Sequence, residues 1–194
     1  MNGPTADLPD LGVVVGFLNT RDERSFSRHG VAHGGGEALD SPGALSAWLA
    51  EHALAGPRTR LAERDLAAAL ALRAALRAAL TPHEGPAGSG GSDIDAVLAG
   101  FPLRLTLAAD GTLGLGPATD GPHPALGRLA ATVALAVADG RWHRVRLCAA
   151  PDCRWAFHDT SRGGAGRWCS MAACGNRVKT RAYRERRHHT APAE

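Results

Sequence analysis

The chain is expected to be an α+β protein, with a helix-rich mixed domain carrying a β-hairpin over residues 1–140 and a small ββα-like unit over residues 141–190. Three observations predict this. Alanine and leucine dominate a hydrophobic content of 44% that includes only 5% aromatics, a bias toward helices over strands. Two segments, near residues 41–56 and 63–80, place apolar side chains at helical spacing. The four cysteines of the chain all fall between residues 148 and 174, in a segment too short to build its own apolar core.

The 194 residues are enough for one ordinary domain and an appendage. The first ten residues, with Pro4 and Pro9, read as loose. Leu11 to Thr20 is apolar and β-branched and fits either a buried strand or a short helix, because periodicity cannot decide at this length. Residues 21–40, with Gly34-Gly35-Gly36, read as a loop with room for a short strand. Ser41-Pro42 starts a helix, serine as N-cap and proline at the first position. That helix shows Leu45, Trp48, Leu49 and His52 on one face and ends at Gly56-Pro57.

The second helix runs from Glu63 to Leu80, with Leu66, Leu70, Arg73 and Arg77 down one side and Leu72, Leu76 and Leu80 down another. Residues 81–92 (TPHEGPAGSGGS) read as a flexible insertion. Asp93 to Leu98 follows as a helical turn capped by Ser92. Leu103 to Leu107 alternates, and Ala109-Asp110-Gly111 turns it into Thr112 to Leu115, a β-hairpin. Residues 125–138 form an alanine-rich helix ending near Gly140.

Nothing in the chain approaches the ~20 apolar residues that cross a bilayer. Leu11 to Leu18 is broken by glycines and preceded by acids, so it does not read as a signal peptide. A cytoplasmic location with no membrane partner is therefore expected, and reducing cytosol keeps thiols free.

Cys148, Cys153, Cys169 and Cys174 form a C-x4-C-x15-C-x4-C pattern. Two short cysteine pairs suit a tetrahedral ion, each pair clamping it in a tight turn, and zinc with four thiolates is the leading assignment. One structural Zn2+ is expected. A catalytic zinc would want an open position that four cysteines close; an iron–sulfur centre or a disulfide pair are the lesser alternatives. Between the pairs, Arg154 to Trp168 is expected to fold back as a β-hairpin around Ser161-Arg162-Gly163-Gly164, with Trp155, Phe157 and Trp168 covering the ion. Metal binding then supplies folding energy that so small a unit lacks.

Cys174-Gly175-Asn176-Arg177 opens a last helix reaching about Arg187, Gly175 letting the backbone turn close to the ion. Arg177, Arg181 and Arg184 share a face, Lys179 and Arg186 flank it, Arg187 closes it, and Val178, Ala182 and Tyr183 face back to the metal unit. Charge follows the same division: residues 1–140 carry 10 Lys or Arg against 15 Asp or Glu, residues 141–194 carry 12 against 4. An acidic body with a basic tail is the layout of a nucleic-acid binder. The six cations Arg177, Lys179, Arg181, Arg184, Arg186 and Arg187 are the candidate DNA contacts. The plainer alternatives are a solvated helix and, for Arg177 above all, neutralisation of the anionic sulfur cage.

In Arg146-Leu147-Cys148, Cys153, Phe157-His158-Asp159-Thr160-Ser161, Arg167-Trp168-Cys169-Ser170-Met171 and Cys174-Gly175-Asn176-Arg177 with Lys179, the chain resembles the CGNR zinc finger. Upstream, Phe17-Leu18-Asn19-Thr20 resembles the Asn-Thr motif that begins the ABATE domain of the same bacterial proteins, and Leu72-Arg73 through Leu76-Arg77 resembles its helical Leu-Arg repeat. The resemblance implies a transcriptional regulator, sometimes labelled stress-induced, whose finger binds DNA. The family often has an acidic residue where this chain has Gly16.

Asn19, Arg21, Arg73 and Arg77 are candidates for a ligand pocket in the body, against the alternative of a buried polar network that fixes the first segment to the helix. Asp159 is expected to pair with Arg167 or cap the hairpin turn. The nine histidines are scattered. No nucleophile–base pair, phosphate loop or paired carboxylates argue for catalysis, so no catalytic residue is assigned and an enzyme using the body pocket is the distant alternative.

The expected function is zinc-dependent DNA-binding transcription regulation, nucleoid-associated when bound. DNA is then the partner, and the body senses a small-molecule effector or mediates a homodimer. The alternative is a zinc-stabilised interaction module that recruits transcription machinery.

Overall fold

The computed structural model describes residues 8–28, 31–81, 91–107, 110–111, 113–118 and 123–190. The ambiguous first segment is a helix, α1 (Leu11–Asn19). Asp10, expected to be loose, is its N-cap and accepts the Gly12 N–H at 2.6 Å, and Leu11, Val14, Phe17 and Leu18 are its buried residues. That stripe recurs at three and four residues, so burial on one helical face outweighs the β preference of three consecutive valines. Residues 21–40 hold two short antiparallel pairs, β1 (Arg21–Asp22) with β4 (Gly36–Glu37) and β2 (Phe26–Arg28) with β3 (Val31–His33).

Helix α2 (Pro42–Glu51) starts as expected, Ser41 Oγ accepting the Ala44 N–H at 3.1 Å. It ends before Gly56-Pro57, because Ala53 takes a φ of 55° and Leu54 N–H turns back to Leu49 O. Helix α3 (Glu63–Ala79) buries Leu66, Leu72 and Leu76. Helix α4 (Gly91–Ala99) begins before Ser92, which therefore lies inside the helix rather than capping it. The insertion expected over 81–92 falls mainly on 82–90, outside the described residues, and its last two residues belong to α4. The hairpin is β5 (Leu103–Leu107) with β6 (Leu113–Pro117), Leu105 opposite Leu115; α5 (Pro124–Ala138) packs on β6.

Helix α1 lies at the centre. It packs on α3, on α5 and on β8 (Ala156–His158), the second strand of a C-terminal hairpin whose first strand is β7 (Val145–Leu147). The apolar core therefore does not stop at the body: Val145 and Ala156 are buried in the same cluster as Phe17, Leu72 and Leu126. Among the described residues no helix is long and apolar enough to cross a membrane.

One amide ties the end of α1 to this hairpin. Asn19, at the end of α1, accepts the Ala156 N–H on Oδ1 at 2.8 Å and donates from Nδ2 to Ala156 O at 2.9 Å. Its side chain thus gives β8 the two bonds that another strand residue would give. Asn19→Ala leaves both backbone groups unpaired and should cost about 2–4 kcal/mol of stability; denaturant unfolding of the zinc-loaded protein checks this, and an unchanged midpoint would refute the clamp.

Candidate metal centre

The C-terminal unit starts from a single 3-10 turn, Trp142–Arg144, and the hairpin β7–β8. The strands pair across the first cysteine pair, so the hairpin loop, residues 148–155, carries Cys148 and Cys153. This corrects the expected hairpin over 154–168. Residues 159–168 turn back without a ladder because one carboxylate takes the place of a strand. Asp159 accepts the Ser161 N–H at 3.0 Å and the Gly166 N–H at 2.7 Å. The bonds from Ser161 and then Gly166 hold its carboxyl down to about 2. A Cβ on Gly166 would lie 2.6 Å from Asp159 Oδ1, so the approach needs a glycine. The Asp159 carboxylate pairs with Arg146, at 3.7 Å, rather than with Arg167, which lies over the Trp168 ring.

The second cysteine pair enters a π-helical turn, Met171–Gly175, capped by Ser170 Oγ on the Ala173 N–H. It runs directly into α6 (Asn176–Thr190), so Cys174 precedes the α-helix instead of opening it, and the helix extends past Arg187. Gly175 is needed for closeness to its own unit, since a Cβ would meet Met171 Sδ at 2.6 Å and Trp168 Cδ1 at 3.1 Å.

Together these elements bring Cys148, Cys153, Cys169 and Cys174 to one point, with ligand sulfurs all within 4.8 Å of one another. Cys153 Sγ lies 3.8 Å from Cys169 Sγ, which lies 3.7 Å from Cys174 Sγ. Zinc–thiolate bonds of about 2.3 Å in a tetrahedron set a sulfur–sulfur edge of about 3.8 Å, whereas a disulfide needs about 2.0 Å. The donor set fits one structural zinc ion, and four sulfurs close its coordination shell.

Left to share protons, the thiols diverge. Hydrogen bonding with Cys153 and then Cys169 holds Cys148 down to about 2, and the same sharing pushes Cys153 up to about 12 and Cys169 well above the ordinary thiol range. Four thiolates cannot sit this close without a cation to offset them.

Arg177 answers part of that charge. It pairs with Asp152 and reaches Cys174 Sγ with Nη2 at 3.6 Å. Burial opposes its charge, but Asp152 and Cys174 outweigh burial and raise its pKa. Its guanidinium also covers the Phe26 ring of β2 at 3.9 Å, and Arg24 covers Trp155 at 4.2 Å. Val178 packs on the cage as expected. Tyr183 does not; it is exposed, with the Arg187 guanidinium 6.0 Å from its ring.

The remaining candidates separate by burial. Lys179, Arg181, Arg184, Arg186 and Arg187 are exposed along α6, and Arg181 meets Glu185 at 3.1 Å. In the body, Arg73 and Arg77 are buried. Arg73 holds both oxygens of Glu37 and donates to Thr20 Oγ1 at 2.7 Å. Arg77 donates to Leu18 O at 2.9 Å and Arg154 O at 3.0 Å, and pairs with Glu23 at 2.9 Å, where Arg154 also binds at 2.9 Å. Arg21, Arg73 and Arg77 line a cleft of about 590 Å³ with Glu23, Thr81 and Arg154, whereas Asn19 points away to β8. An acidic side chain at Gly16 would start 4.0 Å from His52 Nε2 and Trp48.

Glu23, Glu37 and Arg154 were not singled out from the sequence. The available signal was two arginines four residues apart in the otherwise apolar stretch 66–79, since buried guanidiniums demand carboxylates.

The comparisons with known proteins agree with this geometry. Residues 144–187 match the CGNR zinc finger. Residues 12–140 match the ABATE family, described as "Putative stress-induced transcription regulator". The chain belongs to the ABATE family. No curated protein matches it. In this ABATE protein, both the Asn-Thr motif and the Leu-Arg repeat of the body hold the zinc finger: Asn19 pairs with Ala156, and Arg77 with Arg154.

Two outcomes test the site. Cys174→Ser should lose the metal and the ordered finger; a metal assay finding a full equivalent on a folded variant would refute the ligand set. Glu37 is raised by burial, but hydrogen bonds from Arg73 outweigh this and hold it below its ordinary value of 4.5. Its contribution to stability is therefore complete above pH 4.5 and lost as pH falls through the depressed value. The stability gap between wild type and Glu37→Gln should be constant at neutral pH and close in acid; a gap that widens in acid would contradict the sign.

Proposed function

We propose that this ABATE protein is a DNA-binding transcription regulator whose contact surface is the outer face of α6. The observation that carries the reading is the mounting of that helix. Its first turn follows directly from Cys174 in a closed sulfur cage, and Lys179, Arg181, Arg184, Arg186 and Arg187 stand exposed beyond it. A rigid N-terminal anchor with solvent-facing arginines suits phosphate and guanine contacts. Arg177 is turned inward on Asp152 and the cage, so its part is to position the helix, not to meet DNA first.

The net acidic body, with 10 Lys or Arg against 15 Asp or Glu, favours the same geometry, because the basic tail is the part whose net charge attracts a duplex. Of the body's two proposed roles, effector binding is supported by the arginine-lined cleft. Self-association is supported by the outer face of β5–β6, where Leu105, Leu107 and Leu113 are exposed.

Changing Arg181 and Arg184 together to alanine should weaken duplex binding while leaving zinc in place. Loss of two phosphate contacts lowers the slope of log affinity against log salt by about 2. Fluorescence anisotropy across a salt series, with metal content measured on the same sample, decides it. A double variant that retains full affinity and slope would exclude α6 as the surface, and salt-independent binding of a protein partner instead would favour the recruiting module.

A further inference from the structure

Four guanidiniums meet around the cleft where body and finger join, and they outnumber the acids there. Arg21 comes from β1, Arg73 and Arg77 from α3, and Arg154 from the position after Cys153. Glu23 lines the cleft and Glu37 stands behind Arg73, so four positive groups face two negative ones. The four do not have equal freedom. Arg73 and Arg77 form a fixed floor, with side chains 6% and 7% exposed and bonds directed at Glu37, Glu23, the Thr20 hydroxyl and backbone carbonyls. Arg21 and Arg154 stand over it with 54% and 40% exposure, Arg21 3.9 Å from Glu37 and so beyond hydrogen-bond distance.

That arrangement has a ligand chemistry. Guanidiniums present paired N–H groups in a planar fork that matches carboxylate and phosphate oxygens. The volume of about 590 Å³ is that of a small-molecule site, and Ala74 and Ala78 supply an apolar wall.

We propose that this cleft binds a small dianion carrying carboxylate or phosphate groups, with Arg21 and Arg154 as its principal donors. The ligand's charge offsets the excess of cations. Arg154 has a φ of 49°, a conformation that few side-chain-bearing residues adopt, and it sends its carbonyl to Arg77 while its guanidinium reaches Glu23. An anion clasped between Arg21 and Arg154 therefore ties β1 to the cysteine loop and stiffens the mounting of α6. This deepens the effector-sensing half of the reading above and rests on that reading only for its regulatory consequence.

The test uses the zinc-loaded full chain, first without DNA and then with duplex DNA added. Inorganic phosphate and succinate are titrated separately by calorimetry, at an ionic strength held constant with sodium chloride. At least one should bind saturably, and Arg21→Gln, whose exposed side chain leaves the fold intact, should weaken it about tenfold. Preference for phosphate identifies a phosphorylated ligand, and preference for succinate a dicarboxylate. Binding of neither, or equal affinity in Arg21→Gln, overturns the proposal. So does displacement of the bound anion by duplex DNA, which would assign the cleft to a nucleic-acid backbone. Failure of DNA binding with anion binding intact would count against the α6 reading alone.

Discussion

Four sulfurs from two distant stretches of chain must come within one ion's reach, and the geometry of the C-terminal unit follows from that requirement. The β7–β8 hairpin exists to make the loop that carries Cys148 and Cys153. The π-helical turn after Ser170 widens the backbone where Cys174 must swing inward, and α6 continues from it without a break. The residues between the pairs need no sheet because a single carboxylate, Asp159, gathers the backbone donors. A cage of four thiolates around a dication also retains negative charge, so the unit needs a cation at its edge, and Arg177 is built in there.

The finger is nevertheless incomplete alone. Its two strands put Val145 and Ala156 into the core of the body, and Asn19 completes the hydrogen bonding of β8 from the end of α1. The body reaches the cage itself through Phe26 under Arg177 and Arg24 over Trp155. Metal energy and body packing therefore stabilise the same small unit from two sides. A disturbance in the Arg21–Glu37 segment has a short path to the orientation of α6, through Arg77, Arg154 and the adjoining Cys153. Under the proposed function this route matters because α6 is hydrogen-bonded through Arg177 to Asp152, in the same loop as Arg154 of the proposed effector cleft.

What could be read from the sequence divides along the range of the interactions. Cysteine spacing is local chemistry, and it pointed to all four ligands without a fold. Caps and helical stripes are local too, so α2, α3 and α5 were legible, with errors where a backbone turn such as that at Ala53 ended an element early. The C-terminal hairpin was misplaced because glycine turns at 163–164 look like a strand reversal, while the bonds that decide the matter run to Asp159 from seven residues away. Asn19 is the clearest case. Read as a pocket residue or part of a polar network, it is a backbone mimic for a strand 137 positions distant, and no pattern near it in the chain carries that information.

The arginines then fall into an order set by burial. Those with least exposure, Arg73 and Arg77, are bound to carboxylates and carbonyls and fix the body. Arg177, intermediate, offsets the sulfur cage and holds α6 to β2. Those along α6 beyond it are exposed, Arg181 in a solvent-facing pair with Glu185 and Arg187 beside the Tyr183 ring. Surface pairs of that kind contribute little to stability, about 0–1 kcal/mol. The proposed contact with DNA therefore draws on the cations that α6 keeps at the surface, at the basic end of the chain, and not on those the fold has buried.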